Sequence, residues 1–111
     1  MQVHDVAVDR QGRVYVADRG NTRTQIFDSN GKYLDEWDDI CHPSYIYVTK
    51  DGYVWVLSEQ ADRMLKYDKK GHLLTHGTTG NYFDDPHALS LDSDGNLYVA
   101  NYTTQNLGLP C

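Results

Sequence analysis

Residues 4–37 read HDVAVDRQGRVYVADRGNTRTQIFDSNGKYLDEW. Val6 and Val8 alternate with Ala7 and Asp9, and Val14 and Val16 alternate with Arg13, Tyr15 and Ala17. Alternation of β-branched residues at period two describes short strands whose side chains point to the two faces in turn. Gln11-Gly12 lies between the first two runs at the spacing of a tight hairpin, and Asn30-Gly31 marks a second hairpin. Ile26-Phe27 gives a third strand and Tyr33 through Trp37 a fourth. The stretch is therefore a four-stranded antiparallel meander of roughly 40 residues.

The unit returns in residues 43–77, PSYIYVTKDGYVWVLSEQADRMLKYDKKGHLLTHG. Gly12 and Gly52 are 40 residues apart, and Gly52 and Gly95 are 43 apart. Ile46, Val48, Val54 and Val56 take the places of Val6, Val8, Val14 and Val16. Arg63, Tyr67, Asp68 and Gly71 take those of Arg23, Phe27, Asp28 and Gly31. Ser58 to Lys70 is rich in helix formers, but its alignment with Asp18 to Asn30 predicts strand. A third copy, PHALSLDSDGNLYVAN, supplies two strands before the closing NYTTQNLGLPC.

A fixed period of this size is the mark of stacked units. The predicted fold is all-β, a series of β-propeller blades. Blade 1 covers about residues 1–40, blade 2 about 41–82, and an incomplete blade 3 about 83–111. That is about 2.7 blades, and rings close with about four or more. The sequence is therefore expected to belong to a longer chain, or to complete its ring by self-association. An open fan leaves a blade face and strand edges exposed.

Ten basic against 16 acidic side chains give a net charge of −6. That balance argues against a nucleic-acid surface, which needs clustered Lys and Arg. No apolar run reaches the length of a membrane span. Met1 leads directly into a strand, without a leader pattern. Two cysteines, Cys41 and Cys111, are too few for a disulfide framework. Asn101-Tyr102-Thr103 fits a glycosylation sequon, a triplet that also arises by chance. Asp92-Ser93-Asp94-Gly95-Asn96 opens like a calcium loop, but its glycine falls at the fourth place and no distal Glu follows, so it reads as a hairpin turn. Tyr15, Trp55 and Tyr98 are repeat-equivalent and read as blade-to-blade packing.

VYVADRGNTRTQIFDSNGKYLDEW resembles an NHL repeat, the blade of a class of six-bladed propellers, and the resemblance extends to about Asn101. Within that class the pattern is most similar to the peptidyl-α-hydroxyglycine α-amidating lyases. The resemblance implies a central zinc held by three histidines from alternate blades, each at the start of an innermost strand. It also implies a structural calcium, and cleavage of a C-terminal α-hydroxyglycine to a peptide amide and glyoxylate. His4 and His87 fall at equivalent places 83 residues apart, two blades, with Ser44 at the equivalent place between them. Pro86-His87-Ala88-Leu89 matches the local motif; His4-Asp5-Val6 lacks the preceding proline. Imidazole nitrogens suit zinc with an open position.

On the same resemblance, Arg19 orients the substrate carboxylate, a task for a forked, permanent cation; a salt bridge to Asp18 is the structural reading. Asp5 is either a calcium ligand or a strand-start cap. The family's tyrosine base has no counterpart: Glu59-Gln60 stands there, and Asp85 replaces a family methionine. His42 reads as a loop histidine, and His72 and His76 as exposed.

The expected function is zinc-dependent lyase chemistry on a peptide at the central channel, secreted or periplasmic in setting. The alternative is a non-catalytic NHL-repeat module that displays its loops to a protein or small ligand. A calcium-dependent lactonase-like hydrolase would want several channel-facing carboxylates, and few are present.

Overall fold

A computed structural model describes residues 3–58, 63–78 and 86–101, with 76–78, 86, 87 and 101 described by backbone alone. Strands β1 (Val3–Val8), β2 (Val14–Asp18), β3 (Arg23–Phe27) and β4 (Tyr33–Trp37) form one antiparallel sheet in that order. Strands β5 (Tyr45–Val48), β6 (Val54–Ser58), β7 (Arg63–Tyr67) and β8 (Leu73–Thr78) form a second in the same order. Strands β9 (Pro86–Leu91) and β10 (Leu97–Asn101) pair as a hairpin. The segment with helix propensity carries β7, because pairing with β6 and β8 satisfies its backbone.

Each hairpin is built by one device. Asp9 Oδ1 accepts from the backbone N–H of Gln11 and Arg13, both at 2.9 Å. Asp28, Asp68 and Asp92 repeat this at their own turns, and Thr49 Oγ1 does part of the same work for Tyr53 N. The side chain replaces a missing backbone partner and fixes the turn. Asp92 is thereby committed to its hairpin, as the turn reading expects.

Alternation sends Tyr15, Ala17, Ile26 and Trp37 to one face of the first sheet, where they meet Ile46, Val54, Val56, Leu65 and Tyr67 of the second in one apolar core. Trp37 stacks on Tyr67 with centroids 4.0 Å apart, and Tyr15 tilts against Trp37 at 5.6 Å. Burial, with Asp9 beside it, pushes the Tyr15 phenol up to about 12. The inner strands β1 and β5 adjoin, as do β5 and β9, so the copies stack as successive blades.

The outer faces differ. Val6 and Val8 are 51% and 59% exposed, while their partners in the repeat, Ile46 and Val48, are covered by the first sheet. Tyr98 is 60% exposed rather than packed; among the described residues no further sheet follows to cover it. Cys41 is disulfide-bonded. Among the described residues no helix is long and apolar enough to cross a membrane.

Candidate functional site

The starts of β1, β5 and β9 lie at the end of the sheets opposite the hairpins. There the pairing of β1 with β2 slips: Val3 faces Asp18 and Asp5 faces Ala17, which leaves His4 as the extra residue of a β-bulge. The pairing of β9 with β10 slips at the same place: Pro86 faces Asn101 and Ala88 faces Ala100, which leaves His87 extra. A bulge bends its strand and re-aims the side chain it carries. The described part of β5 runs without a slip from Tyr45 to Val48. The two histidines singled out by spacing thus share one backbone irregularity, two blades apart. The His87 side chain and Glu59 lie outside the described residues.

His4 is exposed, and its Nδ1 lies 2.7 Å from the carbonyl oxygen of Ser44. A carbonyl only accepts, so Nδ1 carries the proton and donates, and Nε2 keeps a free lone pair. Ser44 is buried, and its own N–H donates to Leu57 O at 2.8 Å. The acceptor that orients His4 is therefore fixed to the second sheet. Asp5, next along, accepts from Ile46 N through Oδ2 at 2.9 Å. His4 and Asp5 together lace β1 to the start of β5.

Arg19 opens a single 3-10 turn, Arg19–Asn21, after β2. The ion pair to Asp18 considered for Arg19 is made by Arg23 instead. Asp18 Oδ2 accepts from Arg23 Nε at 3.0 Å and from Asn21 Nδ2 at 2.9 Å. Asp18 is fully buried; burial alone would raise its pKa, but these bonds and the Arg23 charge hold it below the ordinary value. Among the described residues the Arg19 guanidinium makes no ion pair. Arg19 O accepts from His42 Nδ1 at 3.3 Å. His42 sits at φ +49 in the crossover between the sheets, so it ties two loops together. His72 is exposed and bonds Asp68 at 3.0 Å.

The bulges and the role of the Ser44 carbonyl escape a reading of residue types. The only local signal is that two histidines stand just ahead of apolar strands. Among the described residues, no three His, Cys, Asp or Glu side chains gather closely enough to hold a metal ion.

The NHL repeat pattern matches residues 1–27. Over 60 residues the chain is 42% identical to NHL repeat-containing protein 3 of Mus musculus, a match covering 50% of this chain and 17% of that protein. The fold is similar to the hydrazine synthase of Kuenenia stuttgartiensis, with TM-score 0.79 and 18% identity over 91% of this chain and 29% of that one. It is also similar to the virginiamycin B lyase of Staphylococcus aureus, with TM-score 0.68 and 16% identity over 94% of this chain and 42% of that one. At these identities the structural neighbours bear on the fold alone. The chain spans well under half the length of each of them.

Proposed function

We propose that the chain forms part of a zinc-dependent propeller lyase that cleaves peptidyl-α-hydroxyglycine to a peptide amide and glyoxylate. The observation that carries this reading is the matched pair of bulged histidines, His4 and His87, at the starts of inner strands two blades apart. His4 fits a zinc ligand chemically. Metal-bound imidazoles commonly donate their second N–H to a carbonyl or carboxylate, and Ser44 O takes that role here. Its Nε2 and the His87 imidazole would hold zinc, with a third ligand from another blade. When bound, zinc would polarise the substrate oxygen as a Lewis acid.

The chain's own residues do the rest. Ser44 O holds the His4 ring in one tautomer. Arg19, unengaged by Asp18, orients the substrate carboxylate with its forked donors. In the sequence Glu59-Gln60 occupies the place of the family's tyrosine base, so the group that takes the hydroxyl proton is left unassigned, Glu59 being the side chain there able to accept it. Asp5 keeps its second oxygen for calcium. The Cys41 disulfide accords with an oxidising, extracytoplasmic setting.

The test is glyoxylate release from a peptidyl-α-hydroxyglycine by the full-length, zinc-loaded protein. His4→Ala and His87→Ala should each abolish both zinc retention and turnover. A full-length protein that retains no zinc and forms no glyoxylate supports the second reading, a non-catalytic NHL-repeat module. One observation favours that module: His4 Nδ1 and Asp5 Oδ2 are both used to stitch neighbouring strands.

A further inference from the structure

One hairpin departs from the device that closes the others. At Asp9, Asp28, Asp68 and Asp92 the carboxylate accepts from two backbone N–H groups, two and four residues on. Thr49 stands at that place in the turn between β5 and β6, and its Oγ1 accepts from Tyr53 N alone, at 3.0 Å. The exchange has two effects at one spot. A carboxylate is gone, and among the described residues the Asp51 N–H lacks the side-chain acceptor that its four counterparts have.

This turn borders a cavity of about 270 Å³ in the seam between the first two sheets. Its walls come from two sheets that each carry four strands. Four of the chain's ten basic side chains line it, Arg10, Arg13, Lys50 and Lys69, against the carboxylates of Asp9 and Asp51. Asp9 is taken by Arg13, whose Nε donates to Oδ2 at 2.8 Å. Arg13 is also anchored through Nη1 to Lys69 O at 2.9 Å, which leaves Nη2 over. Lys69 takes the place of Ser29 in the repeat. Its stem lies along Gly52, where an added Cβ would meet Lys69 Cδ at 3.4 Å. Among the described residues Arg10, Lys50 and Lys69 make no ion pair. A chain of net charge −6 thus gathers cations at the one turn that has given up its carboxylate.

We propose that this cavity binds a doubly charged tetrahedral oxyanion, a phosphate or sulfate group. The Asp51 N–H and Arg13 Nη2 donate to its oxygens, and Arg10, Lys50 and Lys69 supply the opposing charge from the rim. Three cations against the Asp51 carboxylate leave two charges to match, which a dianion does and a carboxylate ligand does not. The cavity is smaller than the pockets of drug-sized ligands, so the group arrives free or on a short carrier. It lies at the hairpin end of the sheets, opposite His4, and stands apart from the lyase reading.

The experiment is a calorimetric titration of the full-length protein, at slightly alkaline pH and fixed ionic strength, with phosphate, sulfate, glycerol phosphate and acetate. The ¹⁵N resonance of the Asp51 amide locates the site. Phosphate and sulfate should bind saturably and shift that amide, with acetate about tenfold weaker, the effect of one partly screened charge. Tighter binding of glycerol phosphate than of inorganic phosphate assigns the site to an ester, and the reverse assigns it to the free ion. Thr49→Asp restores the residue of the other turns, so it should fold as they do and lower phosphate affinity about tenfold or more. Thr49→Asn, which fills the N–H without adding charge, should lower it by less, and Lys69→Ser should also weaken binding. Equal affinity for acetate and phosphate, an Asp51 amide that does not move, or unchanged binding by a folded Thr49→Asp would overturn the proposal.

Discussion

Asp18 shows how one residue fixes a corner of the fold. Its carboxylate is fully buried and gathers Arg23 and Asn21 at the end of β2. Its folded pKa is depressed, so its stabilisation is complete above the ordinary carboxylate value of 3.8 and is lost as pH falls through the folded value. Asp18→Asn should therefore cost about 1–3 kcal/mol in urea unfolding near neutral pH. The gap between variant and wild type should close in acid. Gly71 makes a second residue-scale case. It sits at φ +86, and an added Cβ would lie 3.1 Å from Trp37 Nε1; Gly31, at φ +85, has open space around it. Both alanine variants should lose about 1 kcal/mol to the backbone conformation. Gly71→Ala should lose more, because it also presses on the stacked indole, and paired denaturation curves check the difference.

At the scale of elements, the strands were largely legible. Period-two Val and Ile residues and the Asp9-x-x-Gly12 and Thr49-x-x-Gly52 turns specify β1, β2, β5 and β6 directly, because each side chain's face is set by the pleat. β7 was legible only through the repeat, since Arg63 to Tyr67 read in isolation favours helix. The candidate site was legible as residue types and spacing. The bulges at His4 and His87 were not, because a bulge is a slip between two strands and neither strand encodes it alone. The partner of Asp18 was also hidden: Arg19 and Arg23 are both near in sequence, and the 3-10 turn carries Arg19 past the carboxylate. The seam between the sheets depends on Trp37, 8% exposed and stacked on Tyr67. Trp37→Ala should cost about 3–5 kcal/mol, and Trp37→Phe, which keeps a ring against Tyr67, markedly less, as read by thermal or urea unfolding.

For the whole molecule, the two sides of a blade are unequal partners. The aromatic side of the first sheet covers the valine side of the second, while the first sheet's own valine side remains open. Apolar faces of this kind drive association. The isolated chain should therefore self-associate with rising concentration in analytical ultracentrifugation. A Val6→Lys, Val8→Lys double variant should remain monomeric, with stability within about 0.5 kcal/mol of wild type per exposed site. The functional reading depends on the opposite ends of the same sheets, where the stacking of blades sets the strand starts around a shared hub. Its most direct test is a long-range ¹H–¹⁵N correlation of the His4 ring, with and without zinc, in the full-length protein. The predicted result is an Nδ1–H tautomer throughout, with the Nε2 resonance shifting as zinc binds. An Nε2–H tautomer, or an Nε2 resonance indifferent to zinc, would contradict it.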